Sequence, residues 1–187
     1  MRPQKVLDNE ILAGLTKVFR SKGYEGASLK DLSDATGLKK ASLYHRFPNG
    51  KKEMAEAVFE YINTWVIEHI FEALNDVTVP PNKRLKNALN QISALYDGGK
   101  KTCIFRAFSM ESSLELFEKQ VKNGMDEWIA NFKKVGIALG LSEEIASTYA
   151  LQTLIEVQGS LVVSKGINNI DIFKETLQKI GDQYLKT

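Results

Sequence analysis

Apolar residues recur every three or four positions along almost the whole of this 187-residue chain. That spacing, close to one helical turn, predicts helices throughout. Leu7, Ile11, Leu15, Val18 and Phe19 form one stripe of a first helix that ends at Gly23. Ser28 stands three residues before Asp31, the spacing of a capping box, and opens a short second helix that Gly37 stops. A third piece carries Leu38, Leu43 and Phe47 and breaks at Pro48-Asn49-Gly50. Met54, Val58, Ile62, Trp65, Val66 and Phe71 then predict one long helix from Lys51 to about Asn75. Breaks at Pro80-Pro81, Gly98-Gly99, Gly140 and Asn168-Asn169 divide the rest of the chain, giving a body of about five helices. No stretch alternates over strand length, and the sequence has no Gly-rich phosphate loop, fixed repeat or low-complexity linker. The predicted fold class is all-α, with a three-helix head over residues 1–50 and a helical body over residues 51–187.

Two stretches of the body carry more apolar surface than one protomer needs. Ser142-Glu143-Glu144 reads as a capped helix start with acids at the positive end of the dipole. The helix it opens is apolar on more than one face, through Ile145, Tyr149, Leu151, Leu154, Ile155, Val157, Leu161, Val162 and Val163. The last segment is amphipathic through Ile172, Phe173, Leu177, Ile180 and Tyr184. The helices near 143–165 and 169–186 are therefore the predicted contact between two copies of the chain.

Charge changes the picture more than composition does. The formal net charge is only +2, but residues up to Glu53 carry a surplus of five cations and the remainder a deficit of three. Such asymmetry suits a head that meets nucleic acid, and it also suits a merely solvated basic face. A single cysteine, Cys103, excludes an internal disulfide, and the two histidines, His45 and His69, have no metal-ligand spacing, so neither metal nor cofactor is expected. The chain start does not read as a signal peptide, and no apolar run reaches membrane-spanning length, which together predict a cytoplasmic protein.

The stretch from Ser28 to Lys52 holds the parts of a helix-turn-helix in order. Leu29 and Leu32 bury one helix, Ser33 is small where the helices cross, Gly37 makes the turn, and Leu38, Leu43 and Phe47 bury the other. The second helix is left exposing Lys39, Lys40, Ser42, Tyr44, His45 and Arg46, donors suited to phosphates and base edges in a major groove. Lys39 and Lys40 sit at a helix N-terminus, where cations oppose the dipole by roughly 0.3–1 kcal/mol each unless an anion such as phosphate offsets them.

These residues resemble the TetR family of bacterial regulators. The resemblance lies in Gly23-Tyr24-x-Gly26-x-Ser28, Ala35-Thr36-Gly37-Leu38 and Leu43-Tyr44-His45-Arg46-Phe47-Pro48 followed by Lys51, and it spans Val6 to about Phe59. It implies that Ser28 and Lys30 touch the DNA backbone, that Lys40, Ala41 and Ser42 face the bases, and that Tyr44, His45 and Lys51 hold phosphates. Lys39 departs from the family's usual capping Ser, and Ala41 from a common Gly. Weaker resemblance in Lys101–Glu111 and Gly159–Gly166, with the Phe-Pro-Asn-Gly-Lys insertion, points to the subgroup that includes LmrA and YxaF. That subgroup implies a homodimeric repressor of drug-resistance or aromatic-compound genes, bound to a palindromic double-stranded operator and released by a small-molecule effector.

Trp65, Phe105, Phe108, Met110, Trp128 and Tyr149 are candidates to line the effector pocket, the alternative being plain core. Glu111 and Glu156 stand among apolar residues, where a carboxylate needs a ligand cation, a Lys or Arg partner, or solvent. Cys103 reads as a small buried hydrophobe or a redox sensor, and His69 as a satisfied histidine on a helix. An enzyme would need convergent acids, bases or a metal set that the sequence does not offer, so catalysis is not expected. The competing role is a helical ligand carrier or interaction bundle without specific DNA binding.

Overall fold

A computed structural model describes residues 4–186, with the side chains of residues 4–7, 111 and 112 outside the described set. Every regular element among the described residues is helical. The helices are α1 (Gln4–Gly26), α2 (Leu29–Thr36), α3 (Lys40–Arg46), α4 (Lys51–Val66), α5 (Glu72–Asn75), α6 (Pro81–Leu95), α7 (Ile104–Phe108), α8 (Glu111–Ala138), α9 (Glu143–Gly166) and α10 (Asp171–Leu185). A π-helical turn, Ile67–Phe71, joins α4 to α5, and a 3-10 turn, Asp97–Gly99, comes after α6.

The head forms as its sequence dictates, with one difference. Ile11, Leu15, Val18 and Phe19 are buried along one side of α1; Leu7, expected on the same stripe, lies outside the described side chains. The helix does not end at Gly23 but runs on to Gly26 across a break at Gly23, whose φ of 71° only glycine adopts cheaply. The break is followed by a buried Tyr24. At the start of α2 the capping box is complete. The Ser28 hydroxyl accepts from the Asp31 amide, and the Asp31 carboxylate accepts from the Ser28 amide, both at 3.1 Å. Lys22 adds an ion pair to the same carboxylate at 2.6 Å. Gly37 takes the left-handed conformation (φ 67°) that turns the chain from α2 to α3. The turn is also tied by side chains: Ser33 donates to the Leu38 carbonyl, and Thr36 accepts from the Leu38 amide. α1 and α2 cross closely at Gly14, where a β-carbon would stand 2.5 Å from the Ala35 carbonyl oxygen.

The described chain divides into two compact units, and the one that holds the head extends beyond residue 50. It comprises residues 1–64 together with residues 104–121. Its centre is a cluster of aromatic rings around Phe108, with Phe59 at 4.6 Å, Phe117 at 5.0 Å, Phe19 at 5.4 Å and Tyr24 at 6.1 Å between centroids. A fully buried phenylalanine contributes about 1.5–3 kcal/mol, so these rings anchor the head to α4, α7 and the start of α8.

The second unit comprises residues 65–103 and 122–187. The helix expected from Lys51 to Asn75 is continuous, but five of its residues form the π turn. There the His69 ring stacks in parallel on Trp65 at 4.4 Å, and its Nδ1 bonds the Trp65 carbonyl oxygen at 2.9 Å. Pro81 occupies the first turn of α6, where its missing N–H costs nothing. Gly99 (φ 101°) lets the backbone pass Phe173, where a β-carbon would fall 2.9 Å from that side chain. Ser142 caps α9 by accepting from the Ile145 amide. The stripe expected on α10 is spent inside the protomer: Phe173, Leu177, Ile180 and Tyr184 are all buried, and α10 packs on α9 and α6. α9 behaves differently. It buries Ala146, Ala150, Leu154, Val157 and Leu161 while leaving Ile145, Leu151, Ile155, Val162 and Val163 exposed.

Two measurable outcomes concern the head. Gly14→Ala gains about 1 kcal/mol of helix propensity but drives a methyl into a backbone oxygen that cannot rotate away. Overpacking of that kind costs about 1–3 kcal/mol, so the clash prevails and the thermal midpoint, measured by circular dichroism, falls. The Asp31 carboxyl is held down to about 2, first by its hydrogen bond to Lys22 and then by the Ser28 hydroxyl and amide. Its contribution is fully present above the ordinary value near 3.8 and is lost as pH falls through about 2. Asp31→Asn therefore lowers the thermal midpoint at neutral pH, and the gap from the parent closes as pH falls from 4 towards 2.

Candidate nucleic-acid interface

α3 is amphipathic in the narrowest sense, with one side sealed and the other bare. Leu43 and Phe47 are buried against the head, while Lys39, Lys40, Ala41, Ser42, Tyr44 and His45 are exposed. Lys39 is the extended residue that precedes the helix, and no side chain caps the helix there. Among the described residues, Lys39, Lys40, Ser42, Tyr44 and His45 have no side-chain hydrogen-bond or ion-pair partner, and neither has Lys30 near the start of α2. Unpaired donors cost nothing in water and are available to phosphates and base edges. The exposed Ala41 methyl can add an apolar contact to a thymine methyl.

Three of the predicted contacts are engaged within the chain. The Ser28 hydroxyl serves the capping box and also donates to Asp31 Oδ2 at 2.7 Å. Arg46 forms an ion pair with Asp8 across to α1. The Lys51 ammonium donates to the Tyr24 carbonyl oxygen at 2.9 Å and lies 4.4 Å from the centre of the Tyr24 ring, an arrangement worth about 0.5–1 kcal/mol at an exposed site. These three thus brace the head as well as standing near its exposed face.

The supporting residues were less visible in the sequence. Tyr24 belongs to the Gly-Tyr spelling of the motif, yet nothing in that spelling reveals it as the seat of Lys51. Its burial, together with Glu25 and Glu56 nearby, raises the phenol's pKa, so the ring remains neutral beneath the ammonium. Gly50 (φ 68°) lies against Tyr44, and a β-carbon there would stand 3.3 Å from the Tyr44 ring. The Pro-Asn-Gly run announced a turn without announcing that contact. Asp8 belongs to the polar side of α1 and gave no signal.

The candidate effector residues are dispersed. Phe105 and Phe108 are buried in the unit that contains the head, and Met110 is exposed. Glu111 opens α8, and its side chain is outside the described set. In the second unit, Trp65 is half-buried against His69. Trp128 is buried between Phe71 and Phe132, at 5.8 and 6.1 Å. Tyr149 packs edge-on to Tyr184 at 5.5 Å, and burial pushes the Tyr184 hydroxyl up to about 12. Glu156 pairs with Lys179 at 3.1 Å. Of these, Tyr149 and Glu156 share one groove, between α9 and α10. Cys103 is buried and accepts a hydrogen bond from the Tyr96 hydroxyl at 3.3 Å.

Comparison with known proteins agrees with this geometry. The family model described as "Bacterial regulatory proteins, tetR family" matches residues 11–58, the span that holds α1 from Ile11, the turn, α3 and the first half of α4. Two regulators of Bacillus subtilis (strain 168) align along most of the chain. The HTH-type transcriptional regulator YxaF is 25% identical over 161 residues, which is 83% of either chain. The HTH-type transcriptional regulator LmrA is 23% identical over 86% of this chain and 87% of its own. Among solved structures, the TetR family regulator CifR, in a cysteine variant complexed with 26-base-pair operator DNA, shares the fold with a TM-score of 0.66 at 22% identity, over 91% of this chain and 95% of that one. Residues 11–58 accordingly match the helix-turn-helix head of the tetR family model, and along most of its length the chain is similar to HTH-type transcriptional regulators.

Proposed function

We propose that this regulator is a cytoplasmic repressor that binds a palindromic operator as a homodimer and leaves it when a small aromatic or hydrophobic effector enters the body over residues 51–187. The carrying observation is the bare face of α3, where Lys40, Ser42, Tyr44 and His45, with Lys39 just before the helix, stand unpaired among the described residues while the other side is sealed by Leu43 and Phe47. Lys40, Ala41 and Ser42 read bases, Tyr44 and His45 hold phosphates, and Lys30 reaches the backbone from α2. Ser28, Arg46 and Lys51 act chiefly by holding the head in shape. Pairing through α9 is supported by the exposed Leu151, Ile155, Val162 and Val163, because an apolar stripe of that kind on a folded protomer marks a surface meant to be covered. The operator bound by the relative CifR supports the same assignment for this head.

A dimer presents its two recognition helices to half-sites about one helical turn apart, roughly 34–36 Å. An effector that favours a different separation leaves only one half-site engaged. Moving the population from almost wholly bound to almost wholly free takes about 5.5 kcal/mol of differential affinity, so the effector must bind the released form far better than the operator-bound form. In the second unit, Trp65, Trp128, Tyr149 and Glu156 are the residues proposed to border its site.

Selection of bound sequences from random duplex DNA with the purified protein yields a palindrome, and neither Lys40→Glu nor Tyr44→Ala recovers it. Enrichment of no sequence, with effector-free protein, overturns the repressor reading in favour of a helical carrier. On the selected operator, affinity falls with salt at a slope of roughly −0.9 per phosphate neutralised. Lys30→Ala makes that slope shallower by about one per head while leaving the selected sequence unchanged, as a backbone contact requires.

A further inference from the structure

The outer faces of α9 and α10 enclose an open groove of about 690 Å³. Its walls carry charges of both signs, with Glu156 on α9 and Glu175, Lys179, Asp182 and Lys186 on α10. Of these groove charges, only Lys179 and Glu156 form an ion pair among the described residues. Glu175, Asp182 and Lys186 form no ion pair among the described residues. The second carboxylate oxygen of Glu156 is shielded from solvent and has no hydrogen-bond partner. Ile155, exposed to 58%, lines the groove and belongs to the same apolar face of α9 as Leu151.

These two features do different work when two copies meet. In a two-fold contact each group faces a different group of the same patch, so the patch must complement itself. An apolar stripe meets that condition with any similar stripe and therefore gives affinity without choice of partner. A groove of mixed charge meets it only when acid falls opposite base, and a mismatched partner is rejected by like charges and by polar groups buried unpaired. α10 has buried Phe173, Leu177, Ile180 and Tyr184 within the protomer, so apart from the exposed Leu185 at its end it presents mainly charged and polar residues to another molecule.

We infer that the α9/α10 groove is a self-recognition lock: in a pair of copies, Lys179 and Lys186 of each meet Glu175 and Asp182 of the other, so that the chain selects its own copy over other helical bundles with an apolar stripe. The inference rests on the reading that two copies pair through this face.

The test uses the full chain and measures dimer dissociation by analytical ultracentrifugation, with circular dichroism to confirm folding. Variant one is Lys179→Glu with Lys186→Glu, variant two is Glu175→Lys with Asp182→Lys, and a control carries Leu151→Asp with Ile155→Asp. Each charge variant alone dissociates about tenfold or more readily than the parent, because its groove repels its own copy. An equimolar mixture of the two regains parental affinity as a heterodimer. Charge variants that pair as the parent does, or a mixture that fails to recover, overturn the lock. If the control is monomeric in that event, the face remains the interface and only the lock is wrong. A control that dimerises as the parent does, or a parent that is monomeric throughout, removes the underlying reading instead.

Discussion

A helix of seven residues has almost no stability of its own, since nucleation alone outweighs the few hydrogen bonds it can make. α3 exists because Leu43 and Phe47 are buried beneath it and because Gly37, Ser33 and Thr36 fix the turn that delivers it. Everything the head offers to DNA depends on that anchoring. With one side committed to the core, the exposed side chains are fixed in position without needing hydrogen bonds among themselves, and their donors remain unspent. The division is economical, in that the residues holding the helix in place are not those proposed to contact DNA. Asp31 with Lys22, Asp8 with Arg46 and Tyr24 with Lys51 brace the surrounding helices.

The head was legible in the sequence because its determinants are local. A capping box, a left-handed glycine and a three-residue apolar spacing act within one or two turns, so Ser28, Asp31, Gly37, Leu43 and Phe47 declare themselves. Pairings across long separations do not. Lys51 and Tyr24 are distant in sequence, and an exposed-looking lysine after a Pro-Asn-Gly turn gives no sign that a ring and a carbonyl hold it. Gly14 likewise looked like an ordinary weak point in a helix until the approach of Ala35 gave it a reason. The same limit applies to the last helix. Periodicity identified its stripe, but only packing decides whether a stripe faces the protomer's own core or a second copy, and for α10 it faces the core.

In the proposed pair, α9 and α10 separate two demands that a single apolar surface cannot satisfy. A large exposed apolar face drives association but welcomes any similar face, and a charged face discriminates but binds weakly because screening and desolvation consume most of its attraction. Here the apolar residues stand on α9 and the charged ones mainly on α10.

The aromatic cluster around Phe108 has a bearing on how hybrid regulators are built. Exchanging heads between relatives is usually planned as a cut in the linear sequence, and here residue 50 would look like a natural joint. The rings that support the head, however, come from Phe19 and Tyr24 before that joint and from Phe59, Phe108 and Phe117 after it. A transplanted segment ending at Gly50 would leave three of the five rings in the host, facing whatever side chains the new head supplied. The portable module is discontinuous, residues up to 64 with residues 104–121, and a chimaera that respects it carries its own hydrophobic centre along.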